Sequence, residues 1–346
     1  MCVDRPGRAF FEPSELDRLS GAYPLAPTVL RHALTDHPLL TLPALADAAG
    51  ELPAGHVERR IANAVNGGEF AMDGTARAPV ADTIRAIGTN GNWIMLRFVQ
   101  NIPRYREFLH ALMAEIEGVV GAKTGPWRTL KAFVFISAPG TLTPFHFDAE
   151  YNILFQIAGD KDFATYPPEP PFLPLDRREA HHRDGDNMLP WRPEYEARAI
   201  VHRLAPGDAL YVPHAAPHWV RAGSRPSVSL SLTWQSDWSL ATGEALAVNP
   251  LLRAVGLGLS RPPVWPQRPA LHALAARDCY EASGIPHRRP SRRPLRRAGR
   301  SRRSLPAAGG PDRCRSRTLG GPVRSRRRRE RLRAALVHGC GVASWG

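Results

Sequence analysis

The sequence predicts a mainly β protein, a sandwich or barrel with helical segments before and after it. Short runs of strand-forming residues follow one another between residues 130 and 235, separated by turn signals such as those at 139–140, 159–160 and 206–208. Many short strands with such turns are typical of sandwiches and barrels. A chain of 346 residues is long enough to bury a large core.

Composition and periodicity divide the chain into four regions. Residues 1–90 are predicted to be a helical region, broken by prolines, that packs on the core. Residues 91–240 are predicted to form the β-barrel, and within them 103–121 has the proline start and amphipathic spacing of a helix. Residues 241–278 are predicted to be helical again, and 279–346 form an Arg-rich tail.

The tail carries the excess positive charge of the chain. The whole chain has a formal net charge of +14, but residues 279–346 contain 19 arginines, no lysine and three acidic residues. The preceding residues are therefore nearly neutral, which argues against a basic body that binds nucleic acid. The tail lacks the apolar content to fold, so it is predicted to be disordered. There are two alternatives to a disordered tail without function: a tail that contacts nucleic acid, and a tail translated from a shifted reading frame.

Cysteine usage and hydropathy restrict the class of protein further. None of the four cysteines lies between residues 3 and 278, so neither a disulfide framework nor a thiolate metal site is expected in the core. No stretch approaches eighteen consecutive apolar residues, and the first residues lack a secretory apolar segment. We therefore expect a cytoplasmic protein with no membrane contact.

The stretch TPFHFDAEYNILFQIAGDK, residues 143–161, is unusually polar for a pair of strands. Gly159-Asp160 predicts a two-residue hairpin turn that would pair Ala158 with Lys161. Because side chains alternate along a strand, the polar ones would line a cavity on one face and the apolar ones would form an outer core on the other. The predicted cavity face holds His146, Asp148, Asn152, Gln156, Ala158 and Lys161; the predicted outer face holds Phe145, Phe147, Tyr151, Ile153, Phe155 and Ile157.

His146 and Asp148 then point side by side into that cavity. Two such ligands need a third to complete a 2-His-1-carboxylate triad, which leaves open positions on Fe(II). GDALYVPHAAPHWV, residues 207–220, offers either His214 or His218 from across the barrel.

Lysine usage singles out Lys161. The chain has only three lysines, Lys123, Lys131 and Lys161, against 43 arginines. A compact ammonium is not replaceable by the planar guanidinium fork where a point charge must fit. This favours a specific role for Lys161 at the cavity wall; a surface lysine beside a turn is the alternative.

These two stretches resemble the JmjC-type cupin family of Fe(II)- and 2-oxoglutarate-dependent oxygenases, closest to its small asparaginyl-hydroxylase-like group. The resemblance covers roughly residues 90–240 and implies a double-stranded β-helix (jelly-roll) core. It implies that His146 and Asp148 are catalytic metal ligands. The family's distal histidine, counted from Pro213, falls on His218.

The resemblance also implies a cosubstrate site. Thr143 and Lys161 match the family positions that hold the distal carboxylate of 2-oxoglutarate, and Asn152 matches the position near the metal-proximal end. The implied activity is a dioxygenase, a hydroxylase acting on a protein side chain or a small molecule, with demethylation a weaker alternative. A homodimer through the C-terminal helices is also implied. A cupin that binds metal or ligand without turnover, and regulates through a basic tail that contacts nucleic acid, is the alternative from another class.

Three further features bear on the surroundings of the site. Residues 167–198 are polar and proline-rich, and long segments of this kind are often lids or binding loops. Trp219 and Trp234 are placed either near the barrel mouth or in an ordinary core. A set of four polar residues within 167–198 suggests either a second metal site or, as the better-supported interpretation, a solvated loop. Its members are His181, His182, Asp184 and Asp186.

Overall fold

The structure, a computed structural model, describes residues 9–61, 65–68, 70, 73, 78–254 and 256–267. The predictions for the Arg-rich tail and for residues 268–278 lie outside this part of the chain. The described part contains eleven strands and six α-helices.

The strands form two antiparallel sheets. Their bounds are β1 Thr28–Arg31, β2 Val57–Ile61, β3 Asn92–Arg97, β4 Trp127–Ser137, β5 Leu142–His146, β6 Tyr151–Ala158, β7 Lys161–Thr165, β8 Ile200–Leu204, β9 Asp208–Val212, β10 His218–Ala222 and β11 Ser227–Ser236. The larger sheet has seven strands in the order β1-β9-β6-β11-β4-β3-β2, and the smaller has four in the order β5-β10-β7-β8. Consecutive strands thus alternate between sheets over much of the chain, as expected for a jelly roll. The predicted mainly β class is confirmed.

The helices flank the sheets. Their bounds are α1 Pro13–Ala22, α2 Leu42–Glu51, α3 Val80–Arg85, α4 Pro103–Thr124, α5 Leu175–Asp184 and α6 Asp237–Ala254. The amphipathic helix predicted over 103–121 is confirmed as α4, which begins at a proline and stops at Gly125, whose φ is 84°. Proline suits a first helical position because its missing N–H would have no partner there, and glycine accepts the positive φ at the end.

Apolar residues occupy three layers. On the helix-covered side of the larger sheet, alternate residues of β4, β6 and β11 pack with α1, α2 and α4 in one large core. Between the two sheets lies a smaller interior cluster that includes Leu154, Phe163, Leu210 and Val212. The outer side of the smaller sheet packs against residues 166–195. The predicted outer residues of the 143–161 stretch lie in the first and third of these layers, as expected.

The hairpin predicted at Gly159-Asp160 is wrong. Ala158 pairs with Val228 in the larger sheet, whereas Lys161 pairs with Ala222 and Leu204 in the smaller sheet. The turn therefore carries the chain from one sheet to the other. Gly159 has φ 66°, and a Cβ there would come within 2.3 Å of the backbone oxygen of Pro226, so only glycine fits this crossing. Ala158, predicted on the cavity wall, is exposed.

The flanking regions are less uniformly helical than predicted. β1 and β2 lie within residues 1–90 and form the two edges of the larger sheet. At the other end, α6 stops at Ala254 and residues 256–267 contain no helix. The 167–198 segment is not a plain loop, since it contains α5 and a 3-10 helix at Pro193–Arg198. No helix in the described residues has both the length and the apolar character needed to cross a bilayer.

Candidate metal centre

His146 and His218 meet at one end of the smaller sheet. His146 is the last residue of β5 and His218 the first of β10, and the two are register partners with ring centroids 4.2 Å apart. Asp148 follows β5 by two residues. The ligand atoms of the three side chains all lie within 4.8 Å of one another, and no other group of this kind occurs in the described residues.

The two imidazoles present the correct nitrogen for a metal. Nδ1 of His146 lies 2.7 Å from the carbonyl oxygen of Pro144, and Nδ1 of His218 lies 2.9 Å from that of Ala216. A carbonyl only accepts, so each Nδ1 must carry the proton and each Nε2 keeps a free lone pair. Burial, with the nearby His146, lowers the pKa of His218 well below its ordinary value, which favours the neutral form that a metal requires.

Asp148 is oriented from two sides. Its carboxylate lies 3.7 Å from Nε2 of His218, and Nδ2 of Asn187 lies 3.4 Å from its Oδ1. The backbone is held by Ala215, whose N–H donates to the Asp148 carbonyl over 2.9 Å. Two imidazole nitrogens and one carboxylate form the donor set of an Fe(II) site with open positions. The residues present therefore fit the predicted metal.

Sequence reasoning missed Asn187, because it lies in the polar 167–198 segment and no motif marks it. The structure shows why it reaches the site. The N–H of Phe147 donates to the Asn187 carbonyl over 3.1 Å, and the N–H of Leu189 donates to the Phe145 carbonyl over 3.1 Å. Residues 187–189 thus pair with the free edge of β5, directly beside the candidate ligands, with Met188 opposite His146. Whether the segment acts as a lid stays a prediction.

Lys161 lies inside the barrel and not on the surface, so the alternative of a surface lysine is wrong. It is 5% exposed, and its Nζ lies 5.7 Å from the ring centroid of Phe135. Within the described residues it has no hydrogen-bond acceptor and no ion-pair partner. Desolvation lowers the pKa of the ammonium group to about 7. An anion bound beside it would offset the cost of burying the charged form.

Thr143 joins the interior face through a β-bulge. Thr143 and His146 are three residues apart, a spacing that would put them on opposite faces of a regular strand. The register against β10 shifts between these positions, so that His146 pairs with His218 and Thr143 pairs with Val220. Val220 packs against the cluster between the two sheets, and paired residues share a face.

Asn152 and Gln156 face the interior from β6, and both are buried. The Ser231 hydroxyl donates to Oδ1 of Asn152 over 2.7 Å, which leaves the amide N–H groups of Asn152 to donate inward. Gln156 is fully engaged, because its Oε1 accepts from the Ser229 hydroxyl and its Nε2 donates to Ser227 Oγ and to two backbone carbonyls. Of the two, Asn152 alone keeps donors for a ligand.

His214 lies away from the metal cluster. Its ring centroid is 5.6 Å from that of Tyr151 and 5.8 Å from that of Trp238, at the helix-covered side of the larger sheet. Trp219 and Trp234 are also placed in core layers, on the outer sides of the smaller and larger sheets. Neither tryptophan lies at a barrel mouth.

The polar group of the 167–198 segment does not form a second metal site among the described residues. The solvated-loop interpretation is also wrong in one respect. His182 lies on α5 and is buried enough to lower its pKa to about 3, because α5 packs against α6. Asp184 is exposed and pairs with its neighbour Arg183.

Comparison with known proteins agrees with this architecture. The sequence model of the cupin-like domain family matches residues 100–239. An uncharacterized protein, YxbC, of Bacillus subtilis is 28% identical over 145 residues, which are 40% of this chain and 42% of that protein. Jumonji C domain-containing protein 5 of Drosophila melanogaster is 30% identical over 112 residues, which are 29% of this chain and 27% of that protein. The chain thus matches less than half the length of each relative.

Among solved structures, YcfD, a ribosomal oxygenase from Escherichia coli, in complex with cobalt and 2-oxoglutarate, is 18% identical with a TM-score of 0.42. The likeness covers 78% of this chain and 67% of that chain. A likeness at this level says nothing about what the present chain binds. The family-model match places a cupin-like domain at residues 100–239, within the region of about 90–240 over which the sequence resembles that family.

Proposed function

We propose that this protein is an Fe(II)- and 2-oxoglutarate-dependent dioxygenase that hydroxylates a protein side chain or a small molecule. The observation that carries the proposal is the presence, in one barrel interior, of a His-Asp-His cluster and a buried lysine that has no anionic partner in the described part of the chain. A protein that only binds metal has no need of the lysine, whose burial as a cation is costly.

His146, Asp148 and His218 would hold the metal ion on one side. Bound Fe(II) would supply the activation of O2, with 2-oxoglutarate as the reducing cosubstrate. The protein's share is to position these groups and to exclude water. Both histidines would present Nε2 to the metal, because their Nδ1–H groups are committed to backbone carbonyls.

Lys161 and Thr143 would bind the distal carboxylate of 2-oxoglutarate, and Asn152 would donate to its metal-proximal end. Lys161 pairs with Ala222 on β10, while Thr165 pairs with His218. Lys161 and Thr165 are four residues apart on β7, which corresponds to about 13 Å between their α-carbons. Because Thr165 lies beside His218, the Lys161 backbone is about this far from the metal ligands. A lysine side chain and a five-carbon dicarboxylate can together span this distance. Phe163, whose ring stacks on His218 at 4.8 Å, would wall the path between them.

The test is anaerobic addition of Fe(II) and 2-oxoglutarate, followed by a turnover assay in air. We expect a metal-to-ligand charge-transfer band in the visible region, and succinate formation that is lost in His146→Ala and retained in His214→Ala. Metal binding without either signal, in folded protein, would instead support the non-catalytic regulator. A screen of peptides and small molecules that stimulate 2-oxoglutarate turnover would then identify the substrate class.

A further inference from the structure

A second group of polar side chains, three buried and one half-buried, lies between α5, α6 and the turn after β9. We call it the α5–α6 cluster; it consists of Arg178, His182, His214 and Thr242. Arg178 is 5% exposed, His214 is 8% exposed and Thr242 is fully buried. Arg178 and His182 are four residues apart on α5, so both project from the same side of that helix.

Contacts between the three elements bring these residues together. Thr242 is followed by Gly243, where a Cβ would lie 2.9 Å from Cε1 of His182, so α6 passes directly against that imidazole. Trp238, one helical turn before Thr242, has its ring centroid 5.8 Å from that of His214. Burial lowers the pKa of His214 well below its ordinary value, and the nearby charges of Arg178, His182 and His181 lower it further.

Three of the four side chains in the cluster present polar groups that lack a partner within the described part of the chain. Nε2 of His214 and Oγ1 of Thr242 are buried without a hydrogen bond, and the guanidinium of Arg178 has neither a hydrogen-bond acceptor nor an ion-pair partner there. The adjacent carboxylate of Glu179 does not neutralise it, because Asn249 and Arg253 already donate to that group. Burial without a partner lowers the pKa of Arg178 to about 10.

An unpaired guanidinium inside a protein is strongly unfavourable, and buried charges in native proteins are ordinarily paired. The cluster presents a cation, a hydroxyl and two imidazoles, and it contains no carboxylate of its own. The planar fork of arginine matches the geometry of carboxylate and phosphate oxygens. The missing component is therefore a small anion with at least two oxygens.

We propose that the α5–α6 cluster is a binding site for a small oxyanion, the carboxylate or phosphate group of a ligand. The site adjoins the candidate metal centre without sharing residues with it. The turn that carries His214 binds the backbone of Asp148 through the N–H of Ala215, and the ring centroid of His181, on α5, lies 5.0 Å from that of Phe147. The proposal does not depend on oxygenase activity.

The test is thermal unfolding of the metal-free protein, with EDTA present, in acetate or in phosphate against chloride at equal ionic strength. One of the two oxyanions should raise the unfolding midpoint saturably, by about 5–10 °C at a hundredfold excess over Kd. The acetate and phosphate arms distinguish a carboxylate site from a phosphate site. Arg178→Met should abolish the response, and should leave the anion-free protein at least as stable as wild type because an unpaired charge is removed.

Two controls assign the response to this cluster. Arg177→Met changes an exposed arginine on the same helix and should keep the response. Lys161→Met should also keep the response. A response that is lost in Lys161→Met and kept in Arg178→Met would place the anion at Lys161. If Arg178→Met fails to fold, Thr242→Val removes only the hydroxyl donor and should weaken the oxyanion about tenfold or more. A wild-type protein without a saturable response to either anion, or a response unchanged in the folded Arg178→Met or Thr242→Val variant, would overturn the proposal.

Discussion

Lys161→Met is predicted to change stability and cosubstrate affinity in opposite directions. The ammonium is buried with no anionic partner in the described residues, so the folded, ligand-free protein carries the cost of its desolvation. Methionine has a similar length and no charge, so it removes this cost. It also removes the cation that would bind the distal carboxylate of 2-oxoglutarate.

The structure sets the size of both effects. A decrease in pKa from 10.5 to about 7 corresponds, at ~1.36 kcal/mol per pH unit, to about 5 kcal/mol against the charged form. This is an upper bound on the gain in the free energy of unfolding of Lys161→Met below pH 7. Loss of one partner from a buried charge pair costs about 2–5 kcal/mol of binding energy, which is about a 30- to 5,000-fold weaker Kd for 2-oxoglutarate.

The sign of the pH dependence follows from proton binding. Between pH 7 and 10.5 the unfolded state holds a proton on this lysine and the folded state does not, so the stability of the ligand-free wild type rises with pH through that window. In Lys161→Met this contribution to the rise is absent. The difference in stability between the two proteins should therefore be largest below pH 7 and shrink towards pH 10.5.

Urea unfolding from pH 6 to 10 measures stability, and calorimetric titration of the metal-loaded protein measures cosubstrate affinity. Lys131→Met is the matched control, because Lys131 is partly exposed and its Nζ binds Glu150 at 2.9 Å. That variant should change both quantities little, since a partly exposed ion pair contributes about 0–1 kcal/mol. The reasoning would be refuted by a Lys161→Met protein that is less stable than wild type at pH 6 and binds 2-oxoglutarate normally.

Three further predictions concern the metal centre and the tail. His218→Ala should lose Fe(II), measured by metal content after desalting, whereas His214→Ala should keep it; equal retention by both would remove His218 from the ligand set. Asn187→Ala should weaken Co(II) or Fe(II) binding about tenfold, the lower end expected when a group that orients a ligand is lost, with the unfolding midpoint unchanged; unaltered affinity would show that Asp148 needs no such support. Truncation after residue 278 should leave basal 2-oxoglutarate turnover unchanged, and a loss of turnover in the folded truncated protein would assign the tail a role.

The positions predicted correctly from the sequence were those that depend on a pattern within one segment. Asn152 and Gln156 face the barrel interior because side chains alternate along a regular strand, which is a local property. The start of α4 at Pro103 and the layer assignment of Phe145 and Phe155 followed from similar short-range patterns. A distal histidine spaced from Pro213 also led to the side chain that the structure places beside His146.

The wrong predictions involved relations between strands. A two-residue Gly-Asp turn is equally compatible with a hairpin and with a crossing between two sheets, and only the approach of Pro226 to Gly159 distinguishes them. Thr143 reaches the face of His146 through a bulge that depends on pairing with β10. Neither the crossing between sheets nor the bulge can be recognised from the residue types at those positions.

The sequence by itself determined the class of the fold, the two segments that supply the candidate ligands, and the few residue types that such a site needs. Local propensity and the alternation of side chains carry that information, and both act within a single segment. Only the tertiary structure decided that Asn187 supports Asp148, and that Lys161 and Arg178 are buried without an anionic partner among the residues that the structure describes. Burial and pairing depend on what other segments bring to the same place, and these contacts link residues distant in the chain.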